Sequence, residues 1–254
     1  LVFLPPDINQ SGIRFRPVDG KTIRYGLGAI KGTGEAALSV ILKARTESDP
    51  FRDLFDFCRR IDKRVVNRRV VEALIRAGAF DAIDDHRAKL LASTGVALEA
   101  AEQAERNAMQ GGLFDMGAGA QEDTAHYAHL AHVPRWTERE QLMNEKPALG
   151  YFFSGHPYHA YAAELGFFVK RRLGQLEPQR EPVLLAGVVM STRTQMTRRG
   201  KMAVVVLDDG STQLEVTVFN ELWDAERAKI KEDELLLVEG KVQKDDYSGG
   251  LRIT

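Results

Sequence analysis

Gly32-Thr33-Gly34 sets two glycines one residue apart, just after Lys31 and just before a helical period at Ala37, Leu38 and Ile41. Glycines leave the main chain open, so their N–H groups can meet an approaching surface closely. Where such donors also begin a helix, the unpaired N–H groups and the helix dipole favour a phosphate. Lys31 adds a positive charge beside them. A second break, Gly78-Ala79-Phe80, follows an apolar helical face of Val70, Val71, Leu74 and Ile75, with one glycine in place of two. Between the breaks, Arg59, Arg60, Lys63, Arg64, Arg68 and Arg69 stand against a single acid, Asp62. A charge run is usually a solvated face, but beside two such turns it reads as a phosphate-facing stripe. The chemistry expected of Lys31, Gly32, Thr33, Gly34, Arg64, Arg68, Arg69 and Gly78 is attachment to a duplex through its backbone, without reading bases.

Two further patterns carry chemistry. Gln110-Gly111-Gly112-Leu113-Phe114 couples a polar head to two large apolar side chains in a glycine-rich stretch. An exposed Leu-Phe pair is an aggregation liability unless a pocket receives it, and an apolar cleft with polar groups for the amide suits it. The alternative is that Leu113 and Phe114 fold back on their own domain. Near the C-terminus, Arg193, Arg198, Arg199 and Lys201 form a basic rim, and Phe219 lies opposite the apolar Leu214, Val216 and Val218 on its strand. Phe219 can stack on a nucleobase or pack on the following helix. His126, His129 and His132 recur every three residues, but no carboxylate or thiolate completes the pattern, so no metal is expected. The acidic pairs Asp84/Asp85, Asp208/Asp209 and Asp245/Asp246 fall in turns or caps, and no catalytic residue and no cofactor is assigned.

The elements that position these groups follow from composition and period. A chain of 254 residues, 44% hydrophobic and 28% charged, suits two soluble domains, and a net charge of −1 makes any nucleic-acid surface local. One cysteine, Cys58, excludes a disulfide framework and a cysteine zinc finger, and its apolar neighbours mark it as buried. No apolar run reaches membrane-spanning length and no signal peptide opens the chain, so a cytoplasmic location is expected. The start at Leu1, without Met, suggests a piece of a longer chain. Residues 13–25 read as a β-hairpin turned at Asp19-Gly20, and the two glycine breaks resemble helix-hairpin-helix units. Helix continues from Asp84/Asp85 through Gln103, with Leu90, Leu91 and Leu98 inward. Thr137 and Glu140 form a capping box, and Gly155-His156-Pro157 turns into a helix over 158–165. Strands are expected over 183–193, 201–207, 213–219, 235–242 and 251–254, with a helix over 222–230. Three strands, a helix and two strands is the order of an OB barrel, which binds single strands on its second and third strands. The fold class is therefore multidomain α+β, a mainly helical tandem helix-hairpin-helix domain followed by a five-stranded OB-type β-barrel. Its divisions are a hairpin end (1–25), the tandem hairpins (26–109), a tether (110–135), a helical connector (136–180) and the barrel (181–254).

Segments along nearly all of the chain resemble one family in its own order: the alpha subunits of bacterial DNA polymerase III, the C-family replicative polymerases. They are Arg24 to Gly32, Asn67-Arg68-Arg69 with Gly78-Ala79-Phe80-Asp81, Leu149-Gly150 with Ser154-Gly155-His156-Pro157, and Leu207-Asp208-Asp209 with Asp246-Tyr247-Ser248-Gly249-Gly250. The resemblance implies the end of the fingers, a DNA- and clamp-binding domain, the internal clamp peptide and most of the OB domain. It carries the sliding-clamp (beta subunit) role to Gln110, Leu113 and Phe114. Gly111-Gly112 departs from the family's pattern by loosening the peptide. The family's Mg2+-holding carboxylates sit in a palm upstream of Leu1, and other replicase subunits would meet regions outside this segment. The partners implied are DNA and the clamp, with no membrane. An error-prone paralogue, a non-polymerase DNA-repair scaffold and a purely structural interaction module remain as alternatives. A ligase is disfavoured, because there the barrel precedes the hairpins and four cysteines bind zinc.

Overall fold

Asp19 closes the first hairpin, its carboxylate accepting from the N–H groups of Lys21 and Thr22 at 2.7 and 2.8 Å. The structure is a computed structural model that describes residues 1–110, 132–197, 200–245 and 249–254, with side chains up to 108 in the first of these stretches. It divides into two units, Leu1–Phe153 and Ser154–Thr254, each considered by itself.

In the first unit, β1 (Val2–Leu4), β2 (Arg16–Pro17) and β3 (Thr22–Arg24) form a small sheet in the order β1-β3-β2. It leads into a 3-10 turn (Leu27–Ala29) and then α1 (Glu35–Glu47), α2 (Leu54–Arg60), α3 (Arg68–Arg76), α4 (Arg87–Gln110) and α5 (Glu138–Leu149). Side chains start these helices. Asp53 accepts from the N–H of Asp56 at 2.8 Å, and Asn67 accepts from Arg69 and Val70 at 3.0 and 3.3 Å. Thr137 and Glu140 form the expected box, at 3.2 and 2.8 Å. α4 runs to Gln110, well past Gln103, over about 36 Å at 1.5 Å per residue. Both glycine turns share one core. Val70, Val71, Leu74 and Ile75 are buried with Leu27, Ile30 and Ile41, and Phe80 meets Phe57 edge-on at 5.1 Å. Cys58 is fully buried there, and burial pushes its thiol up to about 12.

A buried ion group joins the far ends of this unit. Arg87 donates to Asp81 at 2.6 and 2.9 Å, to Glu145 at 3.2 Å and to the Arg76 carbonyl at 3.2 Å. Glu145 is fully buried and accepts in turn from the N–H of Phe153 at 2.7 Å. Burial lowers the Arg87 pKa and its two carboxylate partners more than reverse this.

The second unit begins with a 3-10 turn (Pro157–Tyr161), α6 (Ala162–Leu165) and a further 3-10 turn (Leu173–Gln175). The barrel follows as β4 (Val183–Thr197), β5 (Gly200–Asp208), β6 (Gln213–Val218), α7 (Asn220–Glu226), β7 (Leu235–Gly240), β8 (Val242–Lys244) and β9 (Leu251–Ile253). The sheet order is β7-β4-β5-β6-β9-β8, with β6 and β9 parallel. The expected fourth strand over 235–242 is broken after Gly240. Its first part pairs with β4 and its second with β9, so one stretch of chain supplies both ends of the sheet. A single straight strand could not bond both neighbours in so small a closed sheet, and the break resolves this. Asp209, fully buried, holds the 172–175 segment against the β5–β6 turn. It accepts from the Leu173 and Ser211 N–H groups and from Arg172 Nε, each at 2.8 Å. Burial raises its pKa, but these donors outweigh that and hold the carboxyl below its usual range.

Gly26 lies under the chain at 13–15. A Cβ added there would stand 2.5 Å from the Arg14 carbonyl carbon and 2.6 Å from the Ile13 oxygen. Gly26→Ala should therefore destabilise the first unit by about 2 kcal/mol, the cost typical of overpacking. The check is a fall in the denaturant midpoint at unchanged slope.

Candidate nucleic-acid interface

The first glycine turn is built from within. Leu27 and Ile30 are buried, and the Thr33 hydroxyl donates to their carbonyls at 2.9 and 2.7 Å. The Thr33 N–H also donates to Ile30, at 3.3 Å, so Thr33 fixes the turn and offers no main-chain donor outward. Gly32, at φ +89°, and Gly34 are exposed on either side of it. Gly34 caps α1 with no side-chain hydrogen bond, leaving the first-turn N–H groups without a capping acceptor. Its φ of −75° suits any residue, and a Cβ added there would meet nothing within 4 Å. Neither left-handed conformation nor internal packing requires glycine at 34, and as the N-cap of α1 it is preferred over apolar residues. Glu35, in the same first turn, places a carboxylate near that opening and was absent from the sequence reading.

Lys31 is anchored by its N–H to the Ala148 carbonyl at 2.7 Å, at the C-terminal end of α5. Its ammonium runs beside Gly150, where an added Cβ would be 3.2 Å from Nζ. The negative end of a helix dipole is a favourable place for that cation. Gly32 faces α3: an added Cβ would stand 3.8 Å from the Ala73 side chain. Arg69 precedes Ala73 by four residues and so shares its helix face, one turn away. Arg69 is exposed with no ion pair among the described residues, which makes it the stripe residue best placed beside the turn.

The rest of the stripe is more engaged than its sequence suggested. Arg60 turns inward, to Asp56 at 3.1 Å and the Ala44 carbonyl at 2.8 Å, with its guanidinium 4.4 Å over Phe51. Lys63 pairs with Glu105 at 3.0 Å. Arg64 and Arg68 are exposed but paired with Asp62 at 2.8 Å and Glu72 at 2.7 Å. Exposed pairs of this kind contribute up to about 1 kcal/mol, so a phosphate can compete for either arginine. Gly78 needs correction as a phosphate contact. It is buried at φ +81°, and an added Cβ would come within 2.2 Å of Arg87 Nη2. The second turn uses its glycine to admit Arg87, not DNA.

On the barrel, the register sorts the outward residues. Arg193, Val204 and Thr217 form one cross-strand row, Ser191, Val206 and Glu215 the next, and Met202 falls toward Phe219 at the end of β6. Phe219 is 57% exposed, which leaves its ring free to stack, and Lys201 is half-buried. Arg193 is held by Glu215 at 2.7 Å. The row continues onto Arg252, opposite Glu215 on β9, a residue the truncated alternation of 251–254 could have suggested.

Arg198, Arg199, Gly111, Gly112, Leu113, Phe114, His126, His129, Asp246 and the Gln110 side chain lie outside the described residues. Among those described, no set of three His, Cys, Asp or Glu side chains could hold a metal ion. The paired carboxylates are committed: Asp84 to Lys89 at 2.5 Å, Asp85 to Arg135 at 2.8 Å, and Asp208 to the Gly210 N–H at 2.7 Å. No helix among the described residues is long and apolar enough to cross a membrane.

Comparison with known proteins agrees with this division. Residues 1–90 match the helix-hairpin-helix motif family, and residues 183–254 match a family of OB-fold nucleic acid binding domains. The chain is 47% identical over 248 residues to DNA polymerase III subunit alpha of Neisseria meningitidis serogroup A, covering 98% of this chain and 21% of that protein. The Pseudomonas aeruginosa subunit is 39% identical over all of this chain and 23% of its own length, and that of Escherichia coli K12 is 39% identical over all of this chain and 22% of its own. The chain thus spans about a fifth of the relatives it matches and corresponds to their C-terminal part.

The hydroxyl of Thr33 ties both ends of the first turn. Thr33→Val, nearly isosteric, should cost about 1 kcal/mol, since it removes the one hydroxyl proton shared between the two carbonyls. Amide exchange at Ile30 and Thr33, whose N–H groups are bonded within the turn, should speed up while exchange in α4 stays slow, a contrast that hydrogen-exchange NMR reads directly.

Proposed function

We propose that this chain serves DNA replication as the C-terminal portion of a replicative DNA polymerase, gripping duplex DNA with its glycine turn and single-stranded template with its barrel. The whole-length match to polymerase III alpha subunits supports the replication role, and the two matched domain families support DNA binding. The observation that carries the duplex grip is the exposed Gly34, at a helix start with no side-chain cap, two residues after Gly32, which faces α3. N–H donors at Gly32, Gly34 and the start of α1 would take a phosphate, and the nearby cations supply attraction that is blind to sequence. Nucleotidyl transfer, with its Mg2+, we assign to other parts of such a polymerase, and no residue here takes a catalytic role.

If Lys31, Arg64, Arg68 and Arg69 neutralise about four phosphates, log K for duplex should fall against log salt with a slope near −3.6. Arg69→Ala should reduce that slope by about 1. Arg68→Ala should reduce it less, since Glu72 already claims that charge. Gly34→Val should weaken binding beyond the loss of about 1 kcal/mol of stability expected when a good N-cap residue is replaced by an apolar one. Fluorescence anisotropy on two unrelated sequences tests all of this; a slope near zero, or strong preference for one sequence, would overturn the grip.

Clamp docking is a second element of the proposal and rests on Gln110, Gly111, Gly112, Leu113 and Phe114. A peptide this small makes a weak interface, with Kd on the order of micromolar, about −8 kcal/mol. Tethering by bound DNA would then raise its effective concentration. Leu113→Ala with Phe114→Ala should abolish capture on an immobilised bacterial sliding clamp and leave duplex affinity intact. Unchanged capture would remove the clamp assignment alone.

A further inference from the structure

The outward row of the barrel does not stop at β6. Glu215 stands opposite Arg252 on β9, and Arg252 opposite Gln243 on β8, so the face continues around the sheet toward the break after Gly240. There the segment entering the barrel crosses the edge, with the Gln179 N–H donating to the Val242 carbonyl at 3.1 Å. The crossing leaves an open cleft of about 530 Å³ between residues 178–180 and 241–244. Three cations line it: Arg180, Lys241 and Lys244. All three are exposed, and none of their side chains has an ion pair or hydrogen-bonded partner among the described residues. The lining holds no carboxylate. Elsewhere on the barrel Arg193 is matched by Glu215 and Arg172 by Asp209, whereas these three cations share one cleft that no carboxylate lines.

We propose that Arg180, Lys241 and Lys244 form a phosphate-binding cleft that carries a single-stranded nucleic acid off the β5–β6 face and around the β9–β8 edge of the barrel. The proposal rests on the barrel's single-strand reading and extends it to a second contact, outside the strands expected to bind. Chemistry and continuity favour a nucleic acid over a free ion. The cleft includes Gln243, whose row runs through Arg252 to Glu215 on β6, the strand that ends at the exposed Phe219. Lysine and arginine on the backbone with an aromatic under a base is the recurring composition of single-strand grooves.

The test uses the full chain and labelled oligothymidine, with a duplex of unrelated sequence as the internal reference. Replacing Arg180→Ala, Lys241→Ala and Lys244→Ala together removes about three phosphate contacts, so the single-strand salt slope should become shallower by about 2 at roughly 0.7 per phosphate. The duplex slope should not change, and the charge-conserving set Arg180→Lys, Lys241→Arg and Lys244→Arg should restore the single-strand slope. Because the three side chains are exposed and unbonded, the unfolding midpoint should stay where it is. If the original chain binds oligothymidine and the triple variant binds it with the same slope, the cleft is overturned while the barrel reading stands. Equal loss on duplex would also overturn it, as general electrostatics. Displacement by inorganic phosphate at matched ionic strength would reduce the site to an isolated anion pocket and overturn the track. Equal binding of polyglutamate would overturn it in favour of an acidic peptide. Failure of the original chain to bind oligothymidine, with Phe219→Ala likewise without effect, would overturn the barrel reading and the cleft together.

Discussion

One guanidinium sets the geometry of the first unit. Arg87 and Glu145 are separated by 58 residues, yet both are buried and bonded to one another. Desolvating such charges is costly, and the arrangement is tolerable only because every polar atom finds a partner: Asp81, the Arg76 carbonyl and the Phe153 N–H complete the set. An uncompensated buried charge costs several kcal/mol, so α5 is not free to slide or rotate on α3 and α4. That constraint propagates. The end of α5 supplies the Ala148 carbonyl to Lys31, and Gly150 lies beneath the Lys31 ammonium. The candidate phosphate turn is thus aligned by a bond made on the opposite side of the core.

The same unit shows glycine used in two opposed ways. Gly78 is enclosed, its missing side chain occupied by Arg87. Gly34 is bare, its missing side chain occupied by nothing. From sequence both look like hairpin glycines, and only their surroundings separate an internal clearance from an external one. This also explains why the two turns are unequal: one has become the socket of the ion group that positions the other.

What could be read in advance was whatever depends on near neighbours. The capping box at Thr137 and Glu140, the buried face of α3 and the alternation of β6 are set by contacts three or four residues apart, or two along a strand. The order of strands and helix around α7 sufficed for the barrel. Long-range satisfaction was not legible. Arg60's i,i+4 pair with Asp56 was open to view, but nothing nearby announces that it will lie over Phe51 and bond the Ala44 carbonyl, so a run of six cations looked more exposed than it is. Glu145 looks like any helical glutamate until the fold brings Arg87 to it. The break after Gly240 follows from closing the sheet, a requirement that belongs to five strands at once and to no local pattern.

That break has a consequence for how the barrel can associate. A sheet with open sides presents unpaired N–H and C=O groups that invite another chain to add as a strand. Here both outer positions belong to one bent stretch, the Val242 carbonyl is already taken by Gln179, and the remaining edges are the short β7 and β8. Strand addition is one route by which extended peptides dock on β-domains, and the short edges of this one narrow it. Neighbours in a larger assembly must address the barrel through its side chains, and copies of it crowded together have little backbone with which to stick to each other.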